Sequence, residues 1–125
     1  MAAIGLIRCE KNENRCPLTG CLKSLENRVQ GFSGHEQTEL VGVFTCHCPG
    51  DDLIDKAKIL KSKGADTIHI CTCTFASKND GAWVQGGGFC EKVDELMQNV
   101  SNEAKITCIK GTAHLPEGYQ PQTFS

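Results

Sequence analysis

The chain has 125 residues, a length typical of one domain, so we expect a single domain over residues 1–125. Its 13 basic and 15 acidic side chains give a formal net charge of −2, which leaves no basic excess for nucleic acid or an anionic membrane surface. No apolar run reaches the length of a membrane-spanning helix, and the N-terminal MAAIGLIRCE lacks the pattern of a secretory signal, so we expect a cytoplasmic protein.

Four short runs of apolar and β-branched residues predict strands. They span residues 4–8, 39–45, 67–70 and 105–109. Their nearly continuous apolar character is typical of strands that are covered on both faces of a sheet.

Three amphipathic patterns between these runs predict helices. The first is expected to begin at Pro17 and the third near Cys90, while Asp51 and Asp52 are placed to cap the second. The predicted apolar stripes are Leu22, Leu25 and Val29 in the first helix, Leu53, Ala57 and Leu60 in the second, and Val93, Leu96, Met97 and Val100 in the third.

The alternation of strands and helices predicts an α/β fold. We expect a three-layer α/β/α arrangement around a mainly parallel sheet of about four strands. Residues 77–88 interrupt the alternation with turn-forming Asn79-Asp80-Gly81 and a glycine run, which predicts an exposed loop or lid. The tail over residues 116–125 is expected to be loosely ordered, or packed through Tyr119 and Phe124.

Cysteine is the residue type that departs from ordinary composition. The chain has nine cysteines and four histidines. An odd number of cysteines, a length sufficient for a core and no export signal favour reduced thiols over a disulfide framework. Such cysteines are typical of metal binding or thiol chemistry.

Most of the cysteines follow predicted strands. Cys9 follows the first strand, the Cys46-His47-Cys48 motif the second, and the Cys71-Thr72-Cys73 motif the third. Because the carboxyl ends of parallel strands share one edge of a sheet, these side chains are expected to converge there. The predicted metal ligands are Cys9, Cys16, Cys46, Cys48, Cys71, Cys73, Cys90 and His114.

The i, i+2 spacing in both motifs places two thiols on the same face of an extended segment. His47 would then point away from Cys46 and Cys48. Strand ends and helix starts are also expected to favour thiolates over thiols.

The other candidates are interpreted as structural or solvated. Cys21 is a candidate for the first connection or for the core. Cys108 lies inside a predicted strand and is expected to be a small buried side chain. His69 lies between two isoleucines and is expected to be a satisfied sheet residue, whereas His35 is expected to be solvated in a polar loop.

Nearly the whole chain resembles the CGGC domain family. The resemblance begins with Arg8-Cys9 and Cys16-Pro17-Leu18-Thr19-Gly20-Cys21, and continues through the segment that ends at Cys46-His47-Cys48-Pro49-Gly50. It ends with Cys90 and Gly111-Thr112-Ala113-His114. The resemblance implies a small protein that binds metal, usually zinc, through cysteines and histidines. It implies no settled enzymatic role.

The motif that names the family differs in this chain. A single His47 separates Cys46 from Cys48, where the family motif has two glycines between its cysteines. The shorter spacing also makes a thioredoxin-type dithiol less compatible with this segment, because that chemistry uses Cys-x-x-Cys.

Three functions stay open at this level. The first is a metal-binding protein, with zinc favoured by the histidines and an iron–sulfur cluster favoured by the excess of thiols. The second is a thiol-based redox enzyme with Cys9, Cys46 or Cys90 as a low-pKa nucleophile. The third is a sensor or carrier that passes metal or electrons to a small-molecule or protein redox partner.

Overall fold

The structure, a computed structural model, describes residues 2–125. The strands are β1 (Ala2–Cys9), β2 (Thr38–Cys46), β3 (Thr67–Ile70), β4 (Ala76–Asn79), β5 (Ala82–Gln85), β6 (Thr107–Lys110) and β7 (Gln122–Phe124). The α-helices are α1 (Thr19–Asn27), α2 (Leu53–Ser62) and α3 (Val93–Ala104). Among the described residues, no helix is both long enough and apolar enough to cross a membrane.

One five-stranded sheet organises these elements, in the order β2-β1-β3-β6-β7. The first four strands are parallel to their neighbours, and β7 is antiparallel to β6. The predicted α/β fold with a mainly parallel sheet is therefore confirmed. The fifth strand comes from the C-terminal tail, where Phe124 is buried. The tail was expected to be loosely ordered or packed, and the structure shows the packed alternative.

The sheet is covered on both faces, and β1 shows how. Ile4 and Leu6 pack into a core with Leu25 of α1, whereas Ile7 packs into the opposite core with residues of α2 and α3. Side chains of a strand point alternately to the two faces, so an almost unbroken apolar run serves both cores. This arrangement agrees with the predicted helix layers on both sides.

The predicted apolar stripes hold for α2 and α3 and fail in part for α1. Helix α3 begins at Val93 rather than near Cys90, and Asp52 precedes α2 without a side-chain capping hydrogen bond. Leu53, Ala57 and Leu60 of α2 are buried, as are Val93, Met97 and Val100 of α3. Helix α1 begins at Thr19 rather than Pro17 because Leu18 adopts a left-handed conformation with φ 69°. Val29 lies beyond the helix end and is 46% exposed, and Leu22 is 36% exposed, so Leu25 alone of the predicted stripe is buried.

Residues 77–88 contain a hairpin rather than a structureless loop. Strands β4 and β5 pair antiparallel across Asp80 and Gly81. Both turn residues have positive φ, of 51° and 81°, as a tight hairpin turn of the primed type requires. The turn predicted at Asn79-Asp80-Gly81 is confirmed. The strands on either side of it were not predicted, because they are short and polar and show no apolar pattern.

Cys108 and His69 have the structural roles that were expected. Both side chains are completely buried. Nδ1–H of His69 donates to the Gly111 carbonyl at 2.9 Å, so its Nε2 accepts from Nε2–H of His35 at 3.0 Å. The expectation of a solvated His35 was wrong, because its ring is half-buried against His69.

Burial of His69 predicts a loss of stability in mild acid. Burial lowers the pKa of His69 from its usual 6.5 to about 4, so below pH 6.5 the unfolded chain binds a proton that the folded chain excludes. We therefore expect the free energy of unfolding to fall by about 3 kcal/mol between pH 6.5 and 4. Burial also lowers the pKa of His35, which adds to the same trend.

Urea titrations across this pH range measure the effect. The variant His69→Gln carries no titrating group at this position, and its stability should change less over the same interval. His47→Gln is the control, because His47 is 55% exposed. Equal pH dependence in wild type and His69→Gln would contradict the assignment.

Candidate functional site

The parallel strands bring the cysteines to one edge of the sheet. Cys9 and Cys46 are paired residues at the ends of β1 and β2. Cys71 directly follows β3, and its N–H donates to the Ile7 carbonyl at 3.0 Å. The predicted convergence at the carboxyl edge is confirmed as a placement, whereas the role of these residues as metal ligands stays a prediction.

The thiols divide between two cavities according to the face of the sheet. We name these the α3 cavity and the α1 cavity after the helix on each side. Cys9, Cys46, Cys48 and Cys90 line the α3 cavity, of about 450 Å³. Cys9, Cys16, Cys21, Cys71 and Cys73 line the α1 cavity, of about 160 Å³. Cys9 is buried at the boundary and contributes to both.

The thiols of the α3 cavity come from four positions in the chain and differ in burial. Cys9 is buried, Cys46 and Cys90 are partly buried, and Cys48 is exposed. The N–H of Lys92 approaches Sγ of Cys90 at 3.4 Å. Lys11, Lys92 and Glu91 also line this cavity, so its walls carry two positive charges and one negative charge.

Glu10 holds the turn between Cys46 and Cys48. Its Oε2 accepts the Cys48 N–H at 2.6 Å and lies 3.3 Å from Nδ1 of His47. His47 is not among the residues that line the α3 cavity, in agreement with its expected direction away from both cysteines. The i, i+2 spacing therefore places the thiols of Cys46 and Cys48 at the α3 cavity, while the imidazole of His47 lies outside it.

Burial dominates the titration of the strand-end thiols. Burial raises the pKa of Cys46 to about 11, and the neighbouring Cys90, Cys9 and Cys48 thiols add to the effect. Burial also raises the pKa of Cys9. The expectation that strand ends favour thiolates, with Cys9 or Cys46 as low-pKa nucleophiles, is wrong for these two residues. A metal bound there must displace their protons.

The α1 cavity contains a close pair of sulfur atoms. Sγ of Cys21, in the first turn of α1, lies 3.8 Å from Sγ of Cys71 and 3.1 Å from Oγ1 of Thr112. Asn12 approaches Sγ of Cys73 through its Nδ2 at 3.6 Å. Cys71 and Cys73 share this cavity. The extended geometry predicted for them was wrong, because β3 ends at Ile70 and Thr72–Thr74 form a short 3₁₀ helix.

His114 lines the α1 cavity and not the α3 cavity. Its exposed ring stacks on Trp83 of the β4–β5 hairpin, with centroids 5.3 Å apart. Sequence reasoning missed Arg8 and Trp83 as cavity residues and did not choose Cys21 as a site residue. For Arg8, the one available signal was its position immediately before Cys9. For Trp83, no neighbouring residue in the sequence indicated that it would stack on His114.

The ligand-type side chains of the described residues are not arranged around a common metal position. Within residues 2–125, no group of three or more Cys, His, Asp or Glu side chains is positioned to hold a metal ion. The donor chemistry of the α3 cavity nevertheless fits a thiophilic metal, because four thiols line one space at the sheet edge. Metal binding there requires the thiol side chains to rotate towards one another.

The comparisons with known proteins agree with the resemblance inferred from the motifs. A family model described as the CGGC domain matches residues 3–113. An uncharacterized protein of Methanocaldococcus jannaschii is 30% identical over 118 residues, which cover 87% of this chain and 84% of that protein. No solved structure matches the chain.

Proposed function

The chain belongs to the CGGC domain family, and on this premise we propose that it is a metal-binding protein whose metal centre occupies the α3 cavity. The proposed ligands are the four thiolates of Cys9, Cys46, Cys48 and Cys90. The observation that carries the proposal is that four thiols from three separate segments of the chain line one cavity. A cysteine-rich composition alone does not require this convergence.

The charge around the α3 cavity supports a site of several thiolates. Four thiolates with one divalent ion carry a net charge of −2, which requires compensation in a partly buried place. Lys11 and Lys92 outnumber Glu91 in the cavity wall, and the N–H of Lys92 is placed to donate to Sγ of Cys90. Hydrogen bonds of this kind orient metal ligands and tune the bound metal.

The donor set of the α3 cavity limits the metal to two chemistries. Four thiolates suit a closed tetrahedral zinc site or an iron–sulfur cluster. The histidines gave one reason to favour zinc in the sequence, but no histidine lines this cavity. Bound zinc would supply structural stability, and a bound cluster would supply electron transfer.

Cys16, Cys71, Cys73 and His114, also predicted as ligands, lie around the α1 cavity. Arg8 contributes a guanidinium to the wall of that cavity. We assign the metal to the α3 cavity because its volume, about 450 Å³ against about 160 Å³, leaves more room for thiols to gather around an ion.

Elemental analysis of anaerobically purified protein, combined with a visible spectrum, tests the proposal. One equivalent of zinc in colourless protein identifies a zinc centre. Iron with acid-labile sulfide in brown protein identifies a cluster. Folded protein that retains no metal, and binds none when zinc or iron and sulfide are supplied, would overturn the proposal.

A further inference from the structure

The α1 cavity differs from the α3 cavity in its size and in the arrangement of its sulfur atoms. It is small, at about 160 Å³, and its walls include the indole of Trp83 and the guanidinium of Arg8. Cys21 and Cys71 form its close thiol pair, with the two Sγ atoms 3.8 Å apart. Since a disulfide has an S–S length of about 2.05 Å, a modest side-chain rotation would join them.

The surroundings make the two thiols of the pair unequal. The Cys71 thiol lowers the pKa of Cys21, and the Thr112 hydroxyl and Ala113 N–H act in the same direction. Hydrogen bonding to Cys21 and burial raise the pKa of Cys71. Cys21 is also the more accessible of the two, because it is partly buried whereas Cys71 is buried. Cys21 is therefore suited to attack and Cys71 to resolve.

The charge of the cavity indicates which molecules would enter it. The Arg8 guanidinium donates to the Cys16 carbonyl, and no carboxylate of residues 2–125 lies within salt-bridge distance of it. Its positive charge also lowers the pKa of Cys21. A small anion is therefore attracted to this space, and a small cation is repelled.

We propose that the α1 cavity is a thiol–disulfide exchange site in which Cys21 attacks, and Cys71 resolves, a small disulfide that carries carboxylates. The proposal stands on the sulfur–sulfur distance, the cavity and the unpaired guanidinium. It does not depend on metal in the α3 cavity, and it assigns the nucleophile to Cys21 rather than to Cys9, Cys46 or Cys90.

The exchange balances as two substitutions at sulfur. The Cys21 thiolate attacks one sulfur of the disulfide, whose S–S bond breaks, and the first leaving thiolate takes a proton from water. Cys71 then loses its proton and attacks Sγ of Cys21, which releases the second thiolate. The two cysteines lose two electrons and two protons in total, and the small disulfide becomes two thiols.

Reduced protein mixed with 3,3′-dithiodipropionate tests the proposal. Mass spectrometry after alkylation should show a single Cys21–Cys71 disulfide. Cystamine has the same carbon and sulfur skeleton with ammonium groups in place of carboxylates. Relative to the rate of each disulfide with a free thiol, which corrects for their different leaving groups, cystamine should react about 10-fold more slowly, because Arg8 repels it where it attracts the dianion.

Two variants separate the attacking from the resolving thiol. Cys71→Ser should accumulate a stable mixed disulfide on Cys21, because the second substitution has no nucleophile. Cys73→Ser is the matched control from the same cavity and should still form the Cys21–Cys71 bond. If Cys71→Ser does not fold, disulfide mapping of the wild type and the comparison of the two disulfides still decide the matter.

Three results would overturn the proposal. These are a disulfide between other cysteines, equal rates with the anionic and cationic disulfides, and protection of Cys21 and Cys71 from alkylation by added zinc. The last result would make the α1 cavity a metal site. Metal content measured on the same samples keeps a failure here distinct from a failure of the α3 cavity assignment.

Discussion

The double variant Cys46→Ser, Cys48→Ser should lose the metal centre and keep the fold. It removes two of the four thiols that line the α3 cavity. Changes to residues that only hydrogen-bond a metal ligand already lower metal affinity by about 10- to 100-fold, so removal of two ligands should exceed this loss. Apolar side chains form the cores on both faces of the sheet, so the chain should remain folded with reduced stability.

Metal content and circular dichroism of this variant are measured on the same sample. The matched control is Cys16→Ser, Cys73→Ser, which removes two partly buried thiols from the α1 cavity and should retain the metal. Metal loss in the control alone would move the site to the α1 cavity. Global unfolding of Cys46→Ser, Cys48→Ser would show that the metal is required for folding.

The sequence predicts which edge of the sheet carries the thiols, but not their division between two cavities. Cys9, Cys46 and Cys71 end their strands in the sequence, and parallel pairing alone brings such residues together. Which face each thiol enters depends on the side-chain direction at the strand end and on the path of the following turn. Cys71 and Cys46 join opposite cores for this reason.

Side-chain ionisation was the least predictable property. A nearby helix N-terminus supplies partial positive charge, and this local effect is visible in the sequence. Desolvation depends on everything that packs around a thiol, and for Cys46 it outweighs the local effect. The low pKa of Cys21 depends on Cys71 and Thr112, which are distant in the chain.

Among substitutions that add a single methyl group, we expect the largest loss of stability at Gly31. Gly31 belongs to a short 3₁₀ helix (Gln30–Phe32), and its N–H donates to the Thr112 carbonyl at 2.8 Å. A Cβ atom at this position would lie 2.4 Å from the Gly111 carbonyl oxygen, which is a backbone atom with little freedom to move. The same oxygen accepts the hydrogen bond from His69 at 2.9 Å.

Gly31→Ala should therefore displace residues 111–114 and weaken the hydrogen bonds at both Gly111 and Thr112. Overpacking together with a weakened buried hydrogen bond should lower the free energy of unfolding by about 3 kcal/mol, measured by urea titration. Gly34→Ala is the matched control, because its Cβ would meet nothing within 4 Å, and its stability should stay within about 0.5 kcal/mol of wild type.

The displacement should also affect the thiol chemistry of the α1 cavity without affecting metal binding in the α3 cavity. Thr112 carries the hydroxyl that contacts Sγ of Cys21, so movement of this segment should slow formation of the Cys21–Cys71 disulfide in Gly31→Ala. Neither Gly111 nor Thr112 lines the α3 cavity, so metal content of the folded fraction should not change. Equal stability of Gly31→Ala and Gly34→Ala would show that the contact between residues 31 and 111 is looser than described. Equal loss of metal and of exchange would show that the two cavities act as one site.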